Sequence, residues 1–362
     1  MKAAVLRKIG APLQVEDLEI PSPRNGEILV KIVASGVCHT DLHAITGSLV
    51  TPLPAVLGHE GAGIVEEIGE GVEDLAVGDH VVLYLPSCGK CYYCSVGKQT
   101  LCKQANDTIV SGKMPDGTVR LNGKNGMVHH FFAQSSFAEY AVVSRNGAAN
   151  IDREIDLDIA AMFGCGVRTG IGAVTKIANV HLGSNVAIFG CGGVGLSGLI
   201  AARACGADEI IAVDVVEEKL KMAKDVGASE VINSRNEDPV KRITELSKGG
   251  VDFAFEFVGN PVVMKQAFDS LRPAGKAVVV GAAPFGSIVS LDAFSLLLEK
   301  SIVGTSSGGT FAPIDVPIYL GMYKKGLLPV DKILTSRLKI EDVNQGFDLM
   351  KTGHPGRSII HF

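Results

Sequence analysis

The sequence predicts an α/β protein in which a doubly wound parallel sheet adjoins a second, mostly antiparallel β domain. From about residue 185 to 304, short apolar runs alternate with helix-like segments, which is the pattern of βαβ units. Before about residue 150, short β-like runs such as EILVKIVASGV are separated by Pro and Gly, and no helical pattern is long. At 362 residues the chain is also long for a single core, which favours two domains.

The character of the sequence changes twice, and we therefore divide the chain into residues 1–166, 167–306 and 307–362. The central segment contains six apolar strands, as a complete dinucleotide-binding domain does. The tail has two helix-like segments and ends in GRSIIHF, a strand-like run. We expect the tail to fold back onto the first segment.

Composition excludes several classes of partner. The net charge is −5, 20% of residues are charged, and no basic patch is present, so neither nucleic acid nor an anionic membrane is a predicted partner. Residues 182–202 carry no charge, but their six glycines indicate a strand, a turn and a helix rather than a membrane span. The amino terminus does not resemble a signal peptide, and we expect a cytoplasmic protein. Its eight cysteines then favour metal ligation or free thiols over disulfides.

The segment GCGGVG is a dinucleotide-binding pattern that follows a strand and opens a helix. Its first glycine permits the tight turn, the second lets the backbone approach a pyrophosphate, and the last lets the helix pack on the strand. The residues of this turn are Gly190, Gly192, Gly193, Val194 and Gly195. The next strand ends at Asp214, whose carboxylate would accept from ribose hydroxyls and repel a 2′-phosphate, so NAD is favoured over NADP. The alternative is a glycine-rich turn without a ligand.

Four cysteines follow a C-x2-C-x2-C-x7-C spacing, namely Cys88, Cys91, Cys94 and Cys102. Four thiolates satisfy a tetrahedral zinc ion and leave no position for substrate, so this zinc is predicted to be structural. An iron–sulfur cluster is the alternative, but nothing else in the chain indicates electron transfer.

A second metal set is predicted from Cys38 in GVCHTD, His59 in LGHEG and Cys165 in FGCGV. Two cysteines and one histidine with an open fourth position form a catalytic zinc site. Glu60 is an outer or alternate ligand in this hypothesis.

The hypothesis of a catalytic zinc site assigns a role to each polar residue around Cys38. Asp41 would orient His59 through its second ring nitrogen. Thr40 would take the proton of an alcohol, His43 would carry it towards solvent, and His39 would meet the cofactor pyrophosphate. Each of these residues alone is more often an ordinary surface or core residue.

The chain that carries these motifs resembles the long form of the zinc-dependent alcohol dehydrogenases, which belong to the medium-chain dehydrogenase/reductase superfamily. The resemblance extends from MKAAVL to GRSIIHF. The resemblance implies a GroES-like catalytic domain at 1–166 and 307–362, and a Rossmann NAD-binding domain at 167–306. It also implies two zinc ions per subunit, and Lys219 beside Asp214 in the cofactor site. The residues that it places in the substrate pocket are Tyr84, Phe131, Phe132 and Ser306.

The long segment 103–130 is typical of relatives that are dimers, so a homodimer is expected rather than a tetramer.

In the glutathione-linked class an arginine follows the last lobe cysteine by four residues, and Asn106 stands there in this chain. Relatives also carry an arginine near the carboxyl terminus that contacts the pyrophosphate. We expect Ile360 to replace it and this contact to be lost.

The leading hypothesis is therefore an NAD-dependent enzyme that interconverts primary alcohols, aromatic or otherwise bulky and apolar, and aldehydes. One alternative is a glutathione-dependent formaldehyde dehydrogenase that acts on the S-hydroxymethyl adduct. The other is a zinc-containing, nucleotide-binding protein without catalytic activity.

Overall fold

The computed structural model describes residues 1–362. The amino-terminal strands are β1 (Lys2–Leu6), β2 (Gln14–Asp17), β3 (Glu27–Gly36), β4 (Ala55–Val56), β5 (Gly61–Ile68), β6 (His80–Leu83), β7 (Leu121–Gly123), β8 (Gly126–Val128), β9 (Tyr140–Ser144) and β10 (Ala148–Ile151). The helices of this part are α1 (His39–Thr46), α2 (Tyr92–Ser95), α3 (Lys103–Ser111) and α4 (Leu157–Met162).

The middle of the chain alternates strands and helices. Its helices are α5 (Gly166–Gly172), which a π-helical segment (Ala173–Ala178) continues, α6 (Gly193–Ala204), α7 (Glu217–Asp225), α8 (Pro239–Leu246) and α9 (Pro261–Asp269). Its strands are β11 (Asn185–Phe189), β12 (Glu209–Asp214), β13 (Glu230–Asn233), β14 (Val251–Glu256), β15 (Leu271–Val279) and β16 (Ser301–Gly304).

The tail contains α10 (Ala312–Lys324), β17 (Leu334–Leu338), α11 (Val343–Lys351) and β18 (Arg357–His361). Short 3-10 helices occur at Gln99–Leu101, Arg145–Gly147, Ala293–Leu298, Ser307–Gly309, Val330–Ile333 and Ile340–Asp342. No helix combines the length and the hydropathy that spanning a bilayer requires.

The six middle strands form one parallel sheet in the order β13-β12-β11-β14-β15-β16. The order reverses between β11 and β14, where Phe189 pairs with Glu256. Ligands of doubly wound sheets bind at the carboxyl ends of the strands at such a switch point. The predicted doubly wound parallel sheet is confirmed, and the glycine turn after β11 lies at this point.

The amino-terminal part is built on a largely antiparallel sheet in the order β10-β6-β5-β3-β18-β17, with β9 also paired to β3. The mostly antiparallel domain is therefore confirmed as well. Strand β18 joins this sheet from the tail, with Ile359 opposite Gly36 at the end of β3. The predicted boundaries at 166/167 and 306/307 remain predictions.

Candidate active site

The turn from β3 into α1 brings Cys38 and His59 together through one carboxylate. Cys38 caps the amino terminus of α1, and its backbone N–H donates to Asp41 Oδ2 at 3.3 Å. Asp41 is fully buried, and its Oδ1 accepts from Gly58 N at 2.9 Å. Because one side chain bonds both segments, the loop that carries His59 is held against the start of α1.

The side-chain donor atoms of Cys38, His59, Glu60 and Cys165 all lie within 4.8 Å of one another. His59 Nδ1 lies 3.2 Å from Asp41 Oδ2, which leaves Nε2 buried without a hydrogen-bond partner. A hydrogen bond from Cys165 holds the pKa of the Cys38 thiol well below its usual range. Two sulfur atoms and an unpartnered imidazole nitrogen are the donors that zinc prefers, so the set fits the predicted metal.

Glu60 forms part of a second buried contact beside these donors. Its Oε1 accepts from Gly166 N at 2.9 Å, and its Oε2 forms an ion pair with Arg357. Burial raises the pKa of Glu60 to about 7, against the opposing effect of Arg357. Glu60 therefore reaches the metal set, as predicted for an outer or alternate ligand, while it also bonds to the carboxyl-terminal strand.

The four lobe cysteines also converge, with all four Sγ atoms within 4.8 Å of one another. Cys91 Sγ lies 3.6 Å from Cys94 Sγ and 3.9 Å from Cys102 Sγ. Backbone N–H groups, that of Cys94 first, lower the pKa of the Cys91 thiol to about 6. The eight cysteines form no disulfide, and this cluster fits a closed, four-thiolate metal site.

The glycine turn after β11 has the geometry that the sequence pattern predicts. Gly190 has a φ of +93°, and a Cβ at Gly195 would lie 1.9 Å from Gly190 O, so helix α6 starts in direct contact with the turn. Asp214, at the end of β12, accepts from Cys191 N at 2.7 Å and from Val215 N at 2.7 Å. The acidic residue is thus held directly beside the glycine turn.

A basic cleft lies between this turn and the start of α1. It is lined by Gly192, Gly193, His39, Lys219 and Arg357, among others. Its backbone N–H groups at the start of α6 and its cations fit a pyrophosphate.

The expectation that Ile360 replaces a phosphate-facing arginine is wrong. Ile360 is fully buried in the core, whereas Arg357 lines the cleft. The Arg357 side chain packs directly on Gly193, since a Cβ added to Gly193 would lie 2.1 Å from Arg357 Cδ. Sequence reasoning missed Arg357 because it aligned the tail at GRS instead of at the carboxyl-terminal strand. The feature of the sequence that could have identified Arg357 is Glu60 in GHE, because a buried carboxylate needs a cation as its partner.

Two aromatic rings pack against the His59 imidazole. The Phe132 ring centroid lies 4.9 Å from that of His59, and the Phe131 centroid lies 5.6 Å from it. Tyr84 is buried in the core, and burial raises the pKa of its phenol to about 12. Ser306 is exposed and lies directly before the 3-10 helix Ser307–Gly309.

The two predicted relay residues lie on α1. Thr40 Oγ1 lies 3.7 Å from Cys38 Sγ, and His43 is half-buried almost one helical turn later. Residues three apart share a helix face, yet no hydrogen bond joins the two side chains, so a transferred proton needs a bridging group between them.

Comparison with known proteins adds the following findings. The sequence profile of the alcohol dehydrogenase GroES-like domain matches residues 24–153, and that of the zinc-binding dehydrogenases matches residues 193–323. The S-(hydroxymethyl)glutathione dehydrogenase of Synechocystis sp. is 40% identical over 366 residues, which cover 100% of this chain and 99% of that protein.

Solved structures are similar over the whole chain. The benzyl alcohol dehydrogenase of Acinetobacter calcoaceticus is 40% identical, with a TM-score of 0.96 over 100% of this chain and 99% of that one. A protein of Sinorhizobium meliloti 1021, solved with bound NADP, is 27% identical, with a TM-score of 0.83 over 100% of this chain and 99% of that one.

Proposed function

The chain belongs to the zinc-dependent alcohol dehydrogenase family, and we propose that it interconverts primary alcohols and aldehydes with NAD. The alcohols of this proposal are aromatic or otherwise bulky and apolar. The observation that carries it is the pair of phenylalanine rings that packs against the His59 imidazole at the candidate metal set.

In this proposal Cys38, His59 and Cys165 hold the catalytic metal, and the lobe cysteines hold a second, structural one. When bound, zinc would lower the pKa of the alcohol hydroxyl and NAD would accept the hydride. Asp41 holds His59 in the tautomer that leaves Nε2 free to ligate. Phe131 and Phe132 exclude water from one side of the set.

Thr40 is proposed to take the hydroxyl proton, since its Oγ1 lies 3.7 Å from Cys38 Sγ in the metal set. The proton then passes through a bridging hydroxyl or water to His43, which is partly open to solvent. His39, Lys219 and Arg357 would bind the cofactor pyrophosphate. Asp214 supports NAD as the cofactor, because a carboxylate accepts from ribose hydroxyls and repels a 2′-phosphate.

The second candidate function is the oxidation of S-hydroxymethyl glutathione, and the similarity to the Synechocystis dehydrogenase favours it. Against it, Asn106 is an exposed residue of α3 and supplies no cation for the carboxylate of the adduct. The similarity to the Acinetobacter benzyl alcohol dehydrogenase is of the same degree and favours aromatic substrates.

The test compares kcat/KM for benzyl alcohol, ethanol and S-hydroxymethyl glutathione in the unmodified protein and in Phe132→Ala. We expect benzyl alcohol to be preferred and its kcat/KM to fall about tenfold in the variant, because an aromatic contact is lost. The value for ethanol serves as the internal control and should change little. A preference for the glutathione adduct would instead establish the second candidate.

A homodimer is also part of the proposal. Strand β16 is at the edge of the parallel sheet, and apolar side chains near it are exposed, including Phe285, Ile288, Phe294, Leu297 and Val303. Exposed apolar surface of this extent supports an interface with a second copy of the chain. Light scattering that gives a tetramer at low micromolar concentration would contradict it. A cytoplasmic location remains a prediction.

A further inference from the structure

Arg168 is a buried guanidinium that has no carboxylate partner. It lies on α5, three residues after Cys165, and only 6% of its surface is exposed. Its two terminal nitrogens donate to Gly164 O at 2.7 Å and to Thr310 Oγ1 at 3.1 Å. Its Nε is buried without any partner.

The other two deeply buried arginines are neutralised. Arg120 forms an ion pair with Glu27, and Arg357 forms one with Glu60. The carboxylates whose charges act on Arg168 belong to Asp315 and Glu60, and each already forms an ion pair with another cation. Arg168 therefore brings a net positive charge into the interior, which costs stability.

This charge is held rigidly beside the reacting centre. The Gly164 carbonyl to which it donates belongs to the residue directly before Cys165 of the metal set. On the other side, Thr310 accepts from the guanidinium and donates to Ser307 O at 2.7 Å. Helix α5 also packs on α6, so closely that a Cβ at Gly170 would lie 2.3 Å from Val194 O.

Hydride transfer changes the charge next to this position. The alcohol C–H bond breaks, its electron pair and hydrogen join C4 of the nicotinamide, and the hydroxyl proton leaves by way of Thr40. The ring is cationic before this step and neutral after it. Because C4 would have to approach an alcohol carbon held at the metal set, the bound ring would lie near Cys165, and hence near Arg168.

We propose that Arg168 is a fixed positive charge that disfavours the oxidised nicotinamide relative to the reduced one and so biases the bound reactants towards alcohol oxidation. The proposal rests on the proposed function of this site. Arg168 would act through the electrostatic field, since its terminal nitrogens are held by Gly164 O and Thr310 Oγ1, and it is therefore a positioning residue. Two unit charges about 10 Å apart, at an effective dielectric constant of about 20, change an equilibrium by roughly tenfold.

The test measures the Kd of NADH by fluorescence titration and the Kd of NAD by competition. The variants are Arg168→Gln, which removes the charge and keeps a donor, and Arg168→Lys, which keeps the charge. The matched control is Arg203→Gln, which removes an exposed cation from the adjoining helix α6. Arg168→Met guards against a folding failure, because an apolar side chain of similar length replaces an unpaired buried charge.

We expect the ratio of the Kd of NAD to the Kd of NADH to fall about tenfold in Arg168→Gln and Arg168→Met. The ratio should stay unchanged in Arg168→Lys and Arg203→Gln. Both affinities are measured on the same variant, so a general distortion of the cleft cancels in the ratio. An unchanged ratio in Arg168→Gln or Arg168→Met, or an equal fall in Arg168→Lys, would overturn the inference. Failure of the unmodified protein to bind either form would instead overturn the proposed function.

Discussion

Glu60 and Arg357, 297 residues apart in the sequence, form a buried ion pair that joins the segment after the candidate ligand His59 to the carboxyl-terminal strand. The same arginine lines the basic cleft beside Gly193. One guanidinium thus connects the candidate metal set with the candidate pyrophosphate site. The tail is therefore part of the site and not only of the fold.

Arg357→Gln should weaken NADH binding about tenfold, because the cleft loses a buried cation that would face the phosphates. It should also lower the melting temperature, since Glu60 would be left as an unpaired buried carboxylate. Fluorescence titration and thermal unfolding measure the two effects. Arg337→Gln, on the neighbouring strand and more than half exposed, is the control. Unchanged NADH affinity in Arg357→Gln would assign the phosphate contact to other residues.

Cys102→Ser should reduce the zinc content from two ions to one per subunit and lower the melting temperature. The physical reason is that a closed four-thiolate site contributes folding energy, and Cys102 is fully buried within it. Metal analysis and calorimetry are the measurements, with Cys205→Ser as the control outside both metal sets. A variant that loses turnover but melts at the same temperature as the parent would show that the lobe is not structural.

Asp214→Ser combined with Val215→Arg should shift cofactor preference towards NADP by at least about tenfold. The change removes the carboxylate that repels a 2′-phosphate and adds a cation to pair with it, at a position that is already exposed. The ratio of kcat/KM for the two cofactors is the readout. Val215→Arg alone, which keeps the carboxylate, should still prefer NAD. Equal kinetics with both cofactors in the unmodified protein would refute the premise.

His130 predicts a pH dependence of stability. Burial, followed by the charge of Arg120, lowers its pKa to about 3, and its Nε2 accepts from Arg120 N at 3.0 Å, so the folded protein holds it neutral. The unfolded chain takes up this proton below pH ~6.5, so the free energy of unfolding should fall as pH drops from about 6.5 towards 3. This one group contributes at most about 1.4 kcal/mol per pH unit.

His130→Gln should reduce that slope, because the amide oxygen can still accept from Arg120 N but does not titrate. Urea unfolding of the zinc-loaded protein at several pH values between 5 and 7 measures the slope. His181→Gln, at an exposed histidine, should leave it unchanged. An identical slope in His130→Gln and the unmodified protein would mean that His130 is not buried neutral.

The parallel sheet was predictable because its central strands β11 and β12 are buried on both faces and therefore appear as continuous apolar runs. The cysteine lobe was equally accessible, since its ligands are close in sequence. Cys38, His59 and Cys165 are far apart in the sequence, so local patterns alone do not predict that they meet. The combination of the motifs around them supported that prediction. Asp41 could be assigned to His59 because a metal-ligating histidine commonly bonds a carboxylate through its second ring nitrogen.

Arg357 and Arg168 illustrate what sequence patterns do not reveal. Both are charged residues in apolar or small-residue surroundings, and local patterns do not distinguish a buried cation from a surface one. The sequence motif placed Ile360, three residues after Arg357, at the position of the expected arginine. The role of Arg357 follows from the pairing of β18 with β3. The isolation of Arg168 depends on which acids already have partners, which is a property of the whole fold.

NADH formation from benzyl alcohol and NAD in the zinc-loaded protein is the decisive measurement of the proposed activity. NADH absorbance should rise steadily with the unmodified protein. In Thr40→Val, which lacks the relay hydroxyl, the rate should fall by about 10²-fold or more while zinc content and NADH affinity stay the same. Full zinc occupancy with no NAD reduction, for benzyl alcohol and for every other primary alcohol tried, would contradict the account and favour a binding protein without turnover.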